Sequence, residues 1–102
     1  MEAIHTLKDS IEYSSGATVS KILSKNKSGS TTLFSFDEGQ NLSEHKAPFD
    51  ASILVLEGQC DISIAGESHI LSEGQFITMP ANVPHALEAI SAFKMLLIMI
   101  RE

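Results

Sequence analysis

Short apolar segments, separated by glycine- and proline-containing turns, fill most of the chain and strongly constrain its fold. Cys60, Ile62 and Ile64 alternate with polar residues, which is the period-two pattern of a strand with one buried face. Many short strands separated by such turns predict an all-β sandwich or barrel. The predicted strands are residues 17–23, 31–36, 52–56, 60–65, 68–71, 75–79, 85–89 and 93–100.

The length of the chain, 102 residues, predicts a single domain because it is too short for two independent cores. We therefore assign residues 1–102 to one domain. Residues 1–30 form its N-terminal segment with one strand, and residues 31–102 form the barrel core. The 43% apolar and 20% charged composition is that of a globular protein.

The N-terminal segment carries two local predictions. Ile4, Leu7 and Ile11 have the spacing of one helical face, which indicates a short helical turn. The polar residues 24–30, which include Gly29, predict a turn between two strands.

The last predicted strand, residues 93–100, is apolar on both faces. One face carries Phe93, Met95, Leu97 and Met99, and the other carries Leu96, Ile98 and Ile100. A strand of this kind needs cover on both sides. One face can fill a barrel, while the other can meet the N-terminal segment or a second copy of the chain. We therefore expect a homodimer.

Charge and composition exclude several classes of partner. The net charge is -6 and only 7 residues are Lys or Arg, which argues against a nucleic-acid partner. The longest apolar run, residues 95–100, is too short to span a bilayer, and residues 1–10 have no signal-peptide core. The single cysteine, Cys60, cannot form an internal disulfide. These features predict a cytoplasmic protein with no membrane partner.

Two segments of the chain, residues 39–58 and 74–85, resemble the two motifs of the cupin superfamily. The matching positions are Gly39, His45 and Gly58 in the first motif and Gly74, Pro80 and His85 in the second. The resemblance covers the chain from about residue 31 to its end. It implies a small, single-domain cupin: a conical β-barrel of the double-stranded β-helix (jelly-roll) type. It also supports the homodimer, since many small cupins pair through β-strands.

The resemblance also implies a depleted metal site. Metal-binding cupins converge two histidines and a glutamate from the first motif on one histidine from the second. Here His45 and His85 remain, while Ala47 and Ala51 stand in the other two positions. One divalent transition metal (Zn, Fe, Mn, Ni or Cu) would need a further donor, whereas the alternative is a site without metal. The candidate donors are Asp50, Ser52, Gln40 or a group of the substrate.

Three functions follow from these residues. The first is binding of a small molecule that bears a carboxylate, a carbonyl or an aromatic ring. The second is a metal-dependent enzyme of the dioxygenase or isomerase kind, and the third is a structural role with a vestigial cavity. Acid–base chemistry would use the histidine pair, with Asp50 or Glu44 orienting an imidazole. The predicted ligand-binding residues are His45, His85, Met79 and Phe36, in a cavity to which Phe34, Phe76, Met95 and Met99 also belong.

Three remaining residues with reactive side chains are assigned structural or solvated positions. His5 and His69 are predicted to be solvated, and Cys60 is predicted to be a buried structural thiol because it alternates with Ile62 and Ile64.

Overall fold

The computed structural model describes residues 3–101, and nearly all of its regular structure is β-strand. The helical structure in that range is a single 3-10 turn, Leu7–Asp9, and no helix described there is long and apolar enough to cross a membrane. The all-β prediction is therefore confirmed. The strands are β1 (Thr18–Asn26), β2 (Gly29–Phe36), β3 (Asn41–His45), β4 (Asp50–Glu57), β5 (Gln59–Ile64), β6 (Glu67–Ser72), β7 (Phe76–Met79), β8 (His85–Ala89) and β9 (Phe93–Ile100).

The strands form two antiparallel sheets that enclose one core as a jelly-roll barrel. The five-stranded sheet has the order β1-β2-β9-β4-β7, and the four-stranded sheet has the order β3-β8-β5-β6. The chain therefore passes from one sheet to the other several times between β2 and β9. Both inner faces contribute to the apolar core, from Phe36, Val55 and Phe93 on one sheet to Cys60 and Ile62 on the other.

The two ends of the barrel differ in what fills them. At one end Phe36 stacks on Phe93 with ring centroids 4.7 Å apart, and neither residue is exposed. At the other end β3 finishes at His45 and β8 begins at His85, and these two residues are paired in register. Ala51, near the start of β4, is paired there with the last residue of β7 and with Met99 of β9. This second end, which we call the mouth, therefore brings together side chains from β3, β4, β7, β8 and β9.

The N-terminal segment covers part of the outer side of the five-stranded sheet. The Lys94 ammonium donates to the backbone carbonyl of Lys8 at 2.5 Å and lies 5.0 Å from the centroid of the Tyr13 ring. The Tyr13 hydroxyl donates to Glu57, and burial together with that carboxylate raises the pKa of Tyr13. Ile11 is buried, whereas Ile4 is 85% exposed. The predicted helical turn is present, but its predicted apolar face is only partly buried.

Two local features differ from the prediction. β1 and β2 continue through most of the polar segment, so that Asn26 pairs with Gly29 and the turn is only residues 27–28. Polar residues are compatible with this because β1 is an edge strand with one side open to solvent. The strand β3 was not predicted, since its residues are mostly exposed and have no clear alternation.

The outer face of β9 is covered only at its beginning. Lys94 is nearly buried beneath the N-terminal segment, but Ile98 is half-buried and Ile100 is 61% exposed. Phe76 lies on the outer face of β7, an edge strand of the same sheet, and is also exposed. The predicted cover by the N-terminal segment is therefore partial, and the homodimer stays a prediction.

Candidate ligand-binding site

A cavity of about 210 Å³ lies inside the barrel at its mouth. An engineered cavity of about 150 Å³ is known to hold benzene, so this volume suits a molecule of roughly one ring. The lining is largely apolar, and its nitrogen-bearing side chains are the two motif histidines. The lining residues are Leu42, His45, Ala47, Phe49, Ile53, Met79, His85, Ala86, Leu87, Met95, Leu97 and Met99.

Backbone carbonyls fix the orientation of both imidazoles. The Nδ1 of His45 lies 2.8 Å from the carbonyl oxygen of Ser43, and the Nδ1 of His85 lies 3.2 Å from that of Val83. A carbonyl oxygen can only accept a hydrogen bond, so each Nδ1 carries the proton and donates it. The expectation that Asp50 or Glu44 orients an imidazole is therefore wrong, because this role falls to the main chain.

The two Nε2 atoms converge inside the cavity, 3.2 Å apart. With Nδ1 protonated, a neutral imidazole presents a lone pair at Nε2. Burial lowers the pKa of His85, and the charge of His45 lowers it further. The hydrogen bond to Val83 raises this pKa, but its effect is smaller than that of burial. His85 is therefore neutral at neutral pH, and its Nε2 is an acceptor. The 3.2 Å contact is a hydrogen bond when the His45 ring is protonated, whereas two acceptors face each other when both rings are neutral. The arrangement with both rings neutral is satisfied by a guest that brings a hydrogen-bond donor or a cation to the Nε2 atoms.

The other predicted cavity residues divide into two groups. Met79 lines the cavity, as do Met95 and Met99. Phe36 instead lies in the core between Phe34 and Phe93, at the far end of the barrel from the histidines. Phe76 is exposed on the outer face of the sheet. It pairs with Leu54, whose neighbour Ile53 faces the cavity on the opposite side of the sheet.

The oxygen donors that could complete a divalent metal site lie elsewhere. One carboxylate oxygen of Asp50 accepts from the backbone N–H of Ala81 at 2.9 Å, so this side chain points away from the histidines. The hydroxyl of Ser52 bonds to that of Thr78 on the outer face, and Gln40 and Glu44 do not line the cavity. Within residues 3–101, no three His, Cys, Asp or Glu side chains are placed to hold a metal ion. The donor set of a divalent cupin site does not fit these residues.

Phe49 is a wall of the cavity that the sequence analysis missed. It lies in the β3–β4 loop, and the guanidinium of Arg101 sits 5.2 Å from its ring centroid. The backbone N–H of Asn82 donates to the carbonyl of Ala47 at 2.7 Å, which ties the same loop to the β7–β8 loop. Loops have no hydrophobic periodicity, and the position of Phe49 inside the first motif, shortly after His45, was the available signal.

The remaining reactive side chains take no part in the cavity. Cys60 is completely buried, and burial, assisted by the charge of Asp61, raises the pKa of its thiol to about 12. The thiol is therefore protonated and unreactive near neutral pH, as predicted. His5 is exposed, and His69 is half-buried on β6.

Solved structures of several bacterial proteins resemble this chain over nearly its whole length. A conserved protein of unknown function from Streptococcus pyogenes is 35% identical, with a TM-score of 0.94, over 100% of this chain and 90% of that one. A cupin 2 conserved barrel domain protein from Leptotrichia buccalis is 39% identical, with a TM-score of 0.92; the match covers 95% of this chain and 47% of that one. A cupin superfamily protein from Desulfitobacterium hafniense is 28% identical, with a TM-score of 0.87 and coverage of 90% and 84%.

Sequence families give the same assignment. Among curated proteins, no sequence matches this chain. The family described as Cupin domain matches residues 32–101, which include both histidines and the strands that carry them. The chain belongs to the cupin family.

Proposed function

We propose that this cupin binds a small, mostly apolar molecule of about one ring through hydroxyl groups that donate to His45 and His85. The observation that carries the proposal is the convergence of the two Nε2 atoms, 3.2 Å apart, in an otherwise apolar cavity. Ligand sites commonly combine an apolar wall with a few polar groups that orient the ligand. When both imidazoles are neutral, both Nε2 atoms are acceptors, so the ligand supplies the donors.

This geometry narrows the ligand classes expected from the sequence. With both imidazoles neutral, a carboxylate or a carbonyl would bring further lone pairs toward the two Nε2 atoms, which is unfavourable in an apolar cavity. A hydroxyl fills one Nε2, and a second, adjacent hydroxyl fills the other. An aromatic diol meets both requirements, because its ring also suits the apolar walls formed by Phe49, Ile53 and Leu97.

Benzene, phenol and catechol form a matched series of probes for this proposal. We expect affinity to rise in that order, by about fivefold for each hydroxyl, since one net hydrogen bond is worth about 1 kcal/mol. Isothermal titration calorimetry of the purified protein under argon would measure the three dissociation constants.

The double variant His45→Leu/His85→Leu should still bind benzene but lose its preference for the hydroxylated probes. His69→Leu on β6 is the matched control and should behave like the wild type. If the double variant keeps the preference, the histidines are not the acceptors. If none of the probes binds the wild type, the cavity is not a ligand site of this kind.

The alternative function is a dioxygenase- or isomerase-like enzyme with a divalent metal. The imidazoles of His45 and His85 are the only side chains that support it among residues 3–101. A cytoplasmic location stays a prediction that is consistent with the single, buried thiol of Cys60.

A homodimer would cover the open end of the outer β9 face, where Ile98 and Ile100 lie beside Ser52 and Asp50 of β4. We expect sedimentation equilibrium at micromolar concentration to give twice the chain mass of 11.0 kDa. Ile100→Glu should shift the protein toward the monomer, since it places a charge in the proposed interface. Ile70→Glu, at an exposed apolar position on the other sheet, is the control. A monomeric wild type would remove the dimer.

A further inference from the structure

The mouth of the cavity holds two thioethers as well as two imidazoles. Met79 is the last residue of β7 and Met99 is the penultimate residue of β9. Both are paired in register with Ala51 of β4, one on each side, so the three inner-face side chains form a single row across the sheet. The central member of that row has only a methyl group, which leaves space between the two methionines.

The histidines face this row from the other sheet. His45 ends β3 and His85 begins β8, so both belong to the same end of the barrel as the methionine row. All four side chains line the one cavity of about 210 Å³. The Nδ1 contacts to backbone carbonyls hold both rings with Nε2 inward, which is how metal-ligating histidines are usually oriented by their surroundings.

The chemistry of these donors selects a particular kind of ion. Imidazole nitrogen and thioether sulfur are both neutral, and thioethers favour soft ions such as Cu(I). Among residues 3–101, no carboxylate lines the cavity to compensate the charge of a divalent cation. Desolvating an uncompensated charge is costly, and the cost is smallest for a monovalent ion. Hard divalent ions such as Mg²⁺ and Mn²⁺ are therefore disfavoured twice, by charge and by donor type.

We propose that the mouth of this barrel is a Cu(I) site formed by the Nε2 atoms of His45 and His85 and the sulfur atoms of Met79 and Met99. The proposal goes beyond small-molecule binding, because the ion uses two thioethers that a hydroxylated ligand does not need. The ion and a hydroxyl would compete for the same Nε2 lone pairs.

Met95 supplies a matched control within the same cavity. It lies four residues before Met99 on β9, about 13 Å along the strand at about 3.3 Å per residue, and it pairs with Val55 rather than Ala51. A methionine that serves only to fill space should tolerate replacement by leucine, since the two side chains have similar volumes. Met95→Leu and the double variant Met79→Leu/Met99→Leu should therefore fold alike but differ in copper binding.

The test is an anaerobic titration in which the protein competes with bicinchoninate for Cu(I). We expect the wild type to take one ion per chain, and Met79→Leu/Met99→Leu to bind at least about tenfold more weakly. Met95→Leu should match the wild type. Copper X-ray absorption of the loaded protein should give both nitrogen and sulfur scatterers, and the sulfur should disappear in the double variant. Circular dichroism and urea unfolding would confirm that each variant is folded.

Three results would overturn the copper site: no transfer from bicinchoninate to the wild type, equal affinity in Met79→Leu/Met99→Leu, or binding that survives His45→Leu/His85→Leu. The last would assign the copper to surface groups. The two proposals fail separately, because Met79→Leu/Met99→Leu should still prefer catechol over benzene. If Met79→Leu/Met99→Leu lost the preference for catechol but still bound copper, the two methionines would belong to the small-molecule site and not to the copper site.

Discussion

Replacing Gly58 with alanine is expected to destabilise the fold by about 4 kcal/mol, the sum of a backbone term and an overpacking term of about 2 kcal/mol each. Gly58 joins β4 to β5 with φ of +79°, a conformation that L-residues rarely adopt. A Cβ added there would collide with the backbone carbonyl oxygen of Ala92 and lie 2.7 Å from the Cβ of Phe93. Phe93 is completely buried against Phe36 and cannot easily give way.

Gly39→Ala separates the two causes of that loss. Gly39 has φ of +84°, nearly the same as Gly58, but an added Cβ would meet nothing within 4 Å. It should cost only the backbone term, about 2 kcal/mol. Urea unfolding followed by circular dichroism would compare the two variants with the wild type. Equal losses at the two glycines would mean that the contact with Ala92 and Phe93 contributes nothing.

The fold was largely predictable because its signals are local. Alternation identifies which residues of a strand face the core, and it placed Cys60 and Ile62 correctly. Turn residues mark where strands end, and Gly58 and Gly74 do so with positive φ. The prediction was weakest where neither signal exists. The strand β3 is short and mostly exposed, and polar residues at the β1–β2 turn belong to an edge strand that alternation does not constrain.

The cavity was less predictable because depth along the barrel is not a local property. Phe36 and Met99 both face inward, but Phe36 pairs with Phe93 at the start of β9 and Met99 lies near its end. Six residues of strand separate these levels, about 20 Å at about 3.3 Å per residue. Only the register between strands, which the sequence does not state, reveals which inward residues share a level with the histidines.

The register also makes the carboxylate missing from position 51 a testable feature. Ala51 is 4% exposed and lies between Met79 and Met99 at the level of the mouth. We expect Ala51→Glu to destabilise the metal-free protein by about 3 kcal/mol, because the longer side chain must fit between Met79 and Met99 and its carboxylate loses water in a largely apolar cavity. The same carboxylate would give His45 and His85 a third, charged donor, which is the usual number of protein ligands in a catalytic zinc site.

Zinc should therefore restore the stability of Ala51→Glu. A ligand that binds only the folded state stabilises it by about 2.7 kcal/mol at 100 times its dissociation constant, so urea unfolding with and without zinc measures the effect directly. Ala51→Gln is the matched control, since it adds the same bulk without the charge and should gain little from zinc. The wild type should also respond weakly, because it offers two imidazoles and no carboxylate. If zinc stabilised the wild type or Ala51→Gln as much as Ala51→Glu, zinc would bind elsewhere. If it stabilised Ala51→Glu/His85→Leu as much as Ala51→Glu, His85 would not be a ligand. Either result would contradict the arrangement of the mouth on which both proposed occupants depend.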